Sequence, residues 1–202
     1  GNNRWLRIQE FSGKTHSVIL MRLFTAIPIT EDIKERLSGV YKPLSGFRWV
    51  SSENLHLTLK FIGNTRRPEA NELVEALESV EFDPFDITIR SLGSFPPKKH
   101  PSVLWAGVEA PPPLFELQEQ IDEITRQYGA KPDRFDYRPH VTLARIHSTP
   151  MKEVAKLTEE FKDLEAGGMK VSQFVLYESK LQPGGAVHSA KRIYEARTGM
   201  EK

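Results

Sequence analysis

The sequence predicts an α+β fold of two similar, β-rich halves that meet along a pseudo-two-fold cleft. Three observations predict it. The order strand, helix, strand, helix, strand is read twice, over about residues 21–93 and 103–197. A tetrapeptide of one type occurs once in each half, as His56-Leu57-Thr58-Leu59 and His140-Val141-Thr142-Leu143. The length of 202 residues with 39% apolar side chains suits one domain, or two small lobes sharing an interface, with a real core to bury.

The first twenty residues are polar, begin with Gly1 and precede Met21, and are read as a non-native or appended leader; the single domain is expected over 21–202. Leu23, Phe24, Ala26 and Ile27 ahead of Pro28 give the first strand, and Thr30 offers an N-cap for a helix through Leu37. A loop with Lys42, Pro43, Ser45 and Gly46 leads to a strand from Leu55 to Ile62, closed by Gly63. Pro68 starts a helix with Leu73, Val74 and Leu77 at helical spacing, and Phe85, Ile87 and Ile89 alternate as a strand. The segment Gly93 to Pro101, rich in proline and charge, reads as the connector between the halves. In the second half Val103 to Val108 is a strand and Leu114, Leu117, Ile121 and Ile124 mark a helix. Val141 to Ile146 is a strand, and Pro150 opens a helix with Val154, Leu157 and Phe161. Val171 to Leu181 and Lys191 to Arg197 read as strands. LFTA at Leu23 and LWAG at Leu104 differ by 81 positions, the two histidine motifs by 84, a difference that loops absorb.

Composition narrows the chemistry. Lys and Arg total 28 against 27 Asp and Glu, a net charge of +1, which argues against a dedicated duplex-DNA or membrane-surface binder and leaves room for a local basic groove. The absence of cysteine excludes disulfide scaffolds, thiolate zinc sites, iron–sulfur clusters and cysteine nucleophiles. No apolar run approaches the length of a membrane span, and the chain is expected in the cytoplasm.

The histidine motifs carry the functional signal. Six His and eleven Thr predict about 0.3 His-x-Thr occurrences by chance, so a matched pair in matched contexts outweighs the plainer reading of a His topping a strand beside a β-favouring Thr. Side chains alternate along a strand, so His56 and Thr58 share one face while Leu57 and Leu59 enter the core, and His140 and Thr142 do the same. Related by a pseudo-dyad, two imidazoles and two hydroxyls converge between the lobes. A neutral imidazole there can take a proton from an attacking oxygen and a charged one can give a proton to a leaving oxygen, while hydroxyls bind non-bridging phosphate oxygens.

With these residues in view, the chain resembles the 2H phosphoesterase superfamily, and within it the RNA 2',3'-cyclic phosphodiesterase branch, historically called 2'-5' RNA ligase. The likeness covers RLFTAIPI, FRWVSSENLHLTLKFIG, SVLWAGVE and YRPHVTLARI, spread from Met21 to about Tyr194. It implies a bilobal α+β fold of two antiparallel sheets, a metal-independent site and no cofactor. It makes His56 the general acid, His140 the base, and Thr58 and Thr142 the phosphate ligands. The implied reaction opens a terminal 2',3'-cyclic phosphate on RNA to a 2'-phosphate, with reversible 2'-5' ligation as its counterpart. The partner is an RNA or nucleotide with a cyclic phosphate end, and a monomer is expected. The rival readings are a non-catalytic RNA or nucleotide-binding module on the same fold, or a phosphodiesterase for another cyclic or 2'-5' nucleotide.

Other residues are candidates of less specific kind. Lys60 shares the face of His56 by strict alternation and is placed to neutralise phosphate, although a Lys at a strand end is more often solvated. Arg145 matches the arginine after the second family motif, yet alternation puts it opposite His140 unless a bulge re-aims it. Phe24, Trp49 and Tyr137 are candidates for stacking a base, and Lys98, Lys99 and His100 for tracking RNA backbone. His16, His147 and His188 lack matched partners and read as structural or surface residues. No Asp or Glu shares either motif face at ligand spacing, so no metal site is expected.

Overall fold

Alternating apolar runs broken by Gly, Pro and Asn form the strands, and stripes at three-to-four spacing form the helices. The structure is a computed structural model that describes residues 20–96, 101–148 and 151–197. The segment 1–19 and Lys98, Lys99 and His100 lie outside the described residues. In chain order the elements are β1 (Leu20–Pro28), α1 (Glu31–Ser38), β2 (Phe47–Trp49), β3 (His56–Arg66), α2 (Arg67–Ala76), β4 (Phe85–Phe95) and β5 (Val103–Glu109). They continue with α3 (Pro112–Gln127), β6 (His140–Ile146), α4 (Met151–Glu160), β7 (Glu165–Val171), β8 (Gln173–Gln182) and β9 (Gly185–Glu195). Leu114, Leu117, Ile121 and Thr125 make one fully buried stripe on α3, the face it turns to the sheet.

The strands run β7-β4-β5-β6-β3-β1-β8-β9, every pair antiparallel, with β2 added on β6. Helices α2 and α3 pack on β3, while α1 packs on β7 and α4 on β4. From the middle outward the order is balanced: β3, β1, β8 and β9 form one side, and β6, β5, β4 and β7 the other. Each side borrows from the opposite end of the chain, since β4 pairs with β5 and β8 pairs with β1. The two sides are joined through β3 and β6 at the pair Leu57–Val141, both fully buried.

Four elements differ from the sequence reading. Phe47–Trp49, between the loop at Lys42 to Gly46 and the strand read from Leu55, has no element in the sequence reading but pairs with Ile146, Arg145 and Ala144; three residues are too few to show alternation. The connector expected from Gly93 begins as strand, because Gly93, Ser94 and Phe95 pair with Trp105, Leu104 and Val103 in a β4–β5 hairpin. Gly93 is there for packing rather than for a break: a Cβ at this position would collide with the Trp105 ring. Finally, β7 is a separate strand whose Gly167-Gly168 pair hides its pattern, and β9 starts at Gly185 rather than Lys191 because its outward side chains are polar.

Two bulges decide which side chains reach the site. Against β1, Thr25 pairs with Lys60 and Ala26 with Thr58, so Leu59 is extra; against β5, Leu104 pairs with Ala144 and Trp105 with Thr142, so Leu143 is extra. Each bulge buries two consecutive residues, Leu59 with Lys60 and Leu143 with Ala144, and reverses the alternation beyond. Lys60 is therefore turned away from His56. It is 1% exposed, with Nζ 2.5 Å from Asp122 Oδ1 on α3 and 2.8 Å from Asp133 Oδ2, and it donates to the Lys131 carbonyl at 3.0 Å. The phosphate role expected for it is corrected to a structural one. Phe61 takes its place on the cleft face, 57% exposed and 6.1 Å from the Phe24 ring. The second bulge turns Arg145 onto the face of His140.

Lys60→Met is expected to lower stability by about 1–3 kcal/mol in equilibrium urea unfolding, because it removes the buried cation from Asp122, which keeps Arg126, and from the half-exposed Asp133. A small stability change with a raised KM would instead mark Lys60 as a substrate ligand.

Candidate active site

The antiparallel register at Leu57–Val141 sets His56 across from Thr142 and Thr58 across from His140 when extended by one residue each way. Leu57 and Val141 point into the core, so all four polar side chains share the opposite face, and each is part-exposed. The structure thus brings together His56, His140, Thr58 and Thr142, and adds Arg145. Across β2, Arg48 is the register partner of Arg145, which places two guanidinium side chains on one face at the His140 end.

Each imidazole is held the same way. Nδ1 of His56 lies 2.6 Å from the Asn54 carbonyl, and Nδ1 of His140 lies 2.7 Å from the Arg138 carbonyl, two residues back in each case. A carbonyl only accepts, so Nδ1 carries the proton in both rings and Nε2 is left as the exchangeable nitrogen. Both rings are also driven toward the neutral form. Burial pushes His56 down to about 4 against the bond to Asn54, with His188 and His140 adding to the fall. Burial likewise lowers His140, and the Arg145 charge lowers it further.

Aromatic rings dry the site on both sides. Phe24 lies 5.0 Å from His56 and stacks on Tyr177 at 5.2 Å; Phe95 meets His140 edge-on at 5.1 Å, with Trp105 at 6.4 Å. Of the three stacking candidates, Phe24 is at the site. Tyr137 donates its hydroxyl to the Thr58 carbonyl at 2.9 Å, and burial pushes that phenol well above its usual range. It braces β3. Trp49 stacks on Phe47, meets Tyr41 at a tilt and donates Nε1 to the Lys42 carbonyl, packing β2 rather than joining the histidine cluster.

The residue that sequence reasoning missed is His188. It sits on β9, 5.5 Å from His56 and 4.9 Å from Phe24, perpendicular to both rings. It has no counterpart motif, and β9 joins this sheet from the far end of the chain, so spacing carried no signal. Asn54 is a second omission: its carbonyl holds His56 while its amide donates to the Ala186 carbonyl at 2.8 Å, two residues before His188.

The chain is similar to known proteins along most of its length. The family model for LigT-like phosphoesterases matches residues 27–105 and 108–188. The RNA 2',3'-cyclic phosphodiesterase of Archaeoglobus fulgidus is 33% identical over 178 residues, spanning 87% of this chain and 100% of its own. The protein of the same description from Aeropyrum pernix is 37% identical over 150 residues, 73% of this chain and 84% of its own. Among solved structures, E. coli LigT complexed with 3'-AMP shares the fold, with a TM-score of 0.76 over 89% of this chain and 100% of that one at 23% identity. The Thermus thermophilus protein TT0787 aligns with a TM-score of 0.72 at 27% identity, over 88% of this chain and 98% of its own.

The depressed imidazoles give a measurable sign. His56 is expected to titrate near 4 in histidine-detected NMR of the free protein. Its folded value lies below the ordinary 6.5, so the unfolded chain binds more protons as pH falls through that window, and stability drops from about 6.5 toward 4. Thermal midpoints measured at stepped pH should fall over the same window. An ordinary His56 midpoint would contradict a dry, neutral site.

Proposed function

Because this chain belongs to the LigT-like phosphoesterase family, we propose that it hydrolyses the terminal 2',3'-cyclic phosphate of RNA to a 2'-phosphate, with His56 and His140 dividing the proton transfers. One observation carries the division of labour. Two imidazoles, each with Nδ1 fixed on a carbonyl two residues back, flank two threonine hydroxyls on a single sheet face.

In this reading the cyclic phosphate sits over the Leu57–Val141 pair. Thr58 and Thr142 donate to its non-bridging oxygens, and Arg145 faces its charge. Water attacks phosphorus and gives its proton to Nε2 of His140 as the new P–O bond forms. The bond from phosphorus to O3' breaks, and O3' takes the proton from Nε2 of His56, leaving a 2'-phosphate and a 3'-hydroxyl. Arg145 beside His140 favours the uncharged ring that a base needs. His56 gains its proton against the arriving phosphate, and the burial that resists the charge makes it a strong donor once charged. A 5'-hydroxyl in place of water turns the same steps into 2'-5' ligation.

His56→Ala and His140→Ala are each expected to cut turnover of a 2',3'-cyclic mononucleotide by about 10²–10⁴ with circular dichroism unchanged. The double variant should fall little below the worse single one. With a substrate carrying sulfur at the 3' bridge, the leaving thiolate needs no proton. His56→Ala should then regain much of its rate while His140→Ala stays slow; the opposite pattern would exchange the roles. Tight binding of cyclic-ended RNA without turnover by the unaltered protein would point to a binding module instead.

Turnover should also survive excess EDTA, since the transition state is met here by hydroxyls, guanidinium and imidazolium. Inhibition by chelator that added divalent metal reverses would overturn this.

A further inference from the structure

His188 is a third imidazole at the site, and its chemistry is complementary to that of the catalytic pair. His56 and His140 have Nδ1–H tied to carbonyls, so in the neutral form both offer a lone pair at Nε2. His188 is the reverse case. Its Nδ1 is sealed from solvent and has no hydrogen-bond partner among the described residues. A buried N–H without an acceptor costs more than a bare lone pair, so the ring proton belongs on Nε2. The residue is part-exposed while Nδ1 is sealed, so the open edge of the ring is the one that carries Nε2.

The placement is built rather than incidental. His188 stands perpendicular to Phe24 and His56 at 4.9 and 5.5 Å, and is opposite Ser179 in the β8–β9 register. Asn54 locks it to the catalytic ring, since one residue holds His56 Nδ1 with its carbonyl and the Ala186 carbonyl with its amide. The groups facing His188 are His56, Phe24 and, through its charge, Arg22 on β1; none is a carboxylate that would favour imidazolium.

We propose that His188 is a substrate-contacting residue, a neutral imidazole that donates from Nε2 to an oxygen of the nucleotide bound against His56 and Phe24. It supplies a fixed donor next to a ring that must change protonation during turnover. The role deepens the reading of this cleft as a cyclic phosphate site and rests on it for turnover, but not for binding. Asn54 acts as the positioning residue that sets the distance between the two rings.

The test separates the two. In histidine-detected NMR of the full chain, His188 should show the Nε2–H tautomer, and that resonance should shift when adenosine 2'-monophosphate is added. A shift with inorganic phosphate as well would assign the acceptor to the phosphate, and a shift with the nucleotide alone to the ribose or base. In steady-state assays with a 2',3'-cyclic mononucleotide, His188→Phe, which keeps a ring without the donor, should lose about 10-fold in kcat/KM. His188→Gln, which restores a donor at similar reach, should lie within about threefold of the unaltered protein. Asn54→Ala should broaden or move the His188 resonance and weaken nucleotide binding with the far-ultraviolet spectrum unchanged. An Nδ1–H tautomer, a His188 resonance indifferent to the nucleotide, or His188→Phe with unaltered kcat/KM would each overturn the proposal. Nucleotide binding at His188 in a protein that turns over no cyclic phosphate would instead sink the proposed hydrolysis and leave the contact standing.

Discussion

The candidate site depends on one backbone pairing. β3 and β6 meet at Leu57–Val141, where two fully buried aliphatic side chains fix the facing direction of every neighbour. A slip of one residue in either strand would send its histidine and threonine into the core and its aliphatic residues into the cleft. The apolar residues of the motif therefore do as much for the chemistry as the polar ones. Their burial defines the register, and the register makes four side chains from distant parts of the chain neighbours.

Reading the sequence with strict period two recovered the pair because the bridge sits inside the regular part of both strands. It failed just beyond, twice and for one reason. Leu59 and Leu143 are bulged residues, and no local signal separates them from ordinary strand leucines. The first bulge removed Lys60 from the cleft and gave Phe61 its place, and the second delivered Arg145. Short or polar strands were the other blind spot. β2 has too few residues to alternate, β7 carries two glycines, and β9 is polar on its outer face. Missing the true start of β9 meant missing His188, since a residue on an unassigned strand has no face to share.

Electrostatically the cleft is asymmetric although its backbone is nearly balanced. Around His56 are the rings of Phe24, Tyr177 and His188, with Phe61 beyond Phe24. Around His140 are Phe95 and Trp105, but also Arg145 and its cross-strand partner Arg48. Like charges set directly across a strand pair repel and persist comfortably when an anion lies near them. Both ends thus carry aromatic rings, and the Arg145–Arg48 pair adds a second guanidinium at the His140 end.

The exchange of strands between the two sides governs how such a molecule is assembled. β1 and β3 lie early in the chain, yet their sheet is completed only by β8 and β9, with Ala26 against Val175. During synthesis from the N-terminus, the β1 edge stays open until β8 has been made. Contacts so distant in sequence form slowly, because a long loop must close before any pairing rewards it. The exposed β1 edge is a template for wrong partners in that interval. The aromatic wall behind His56 is also finished last, since Tyr177 and His188 both arrive with these strands. A nascent chain can hold both histidine motifs and still lack the wall behind His56, which forms only once β8 and β9 have paired.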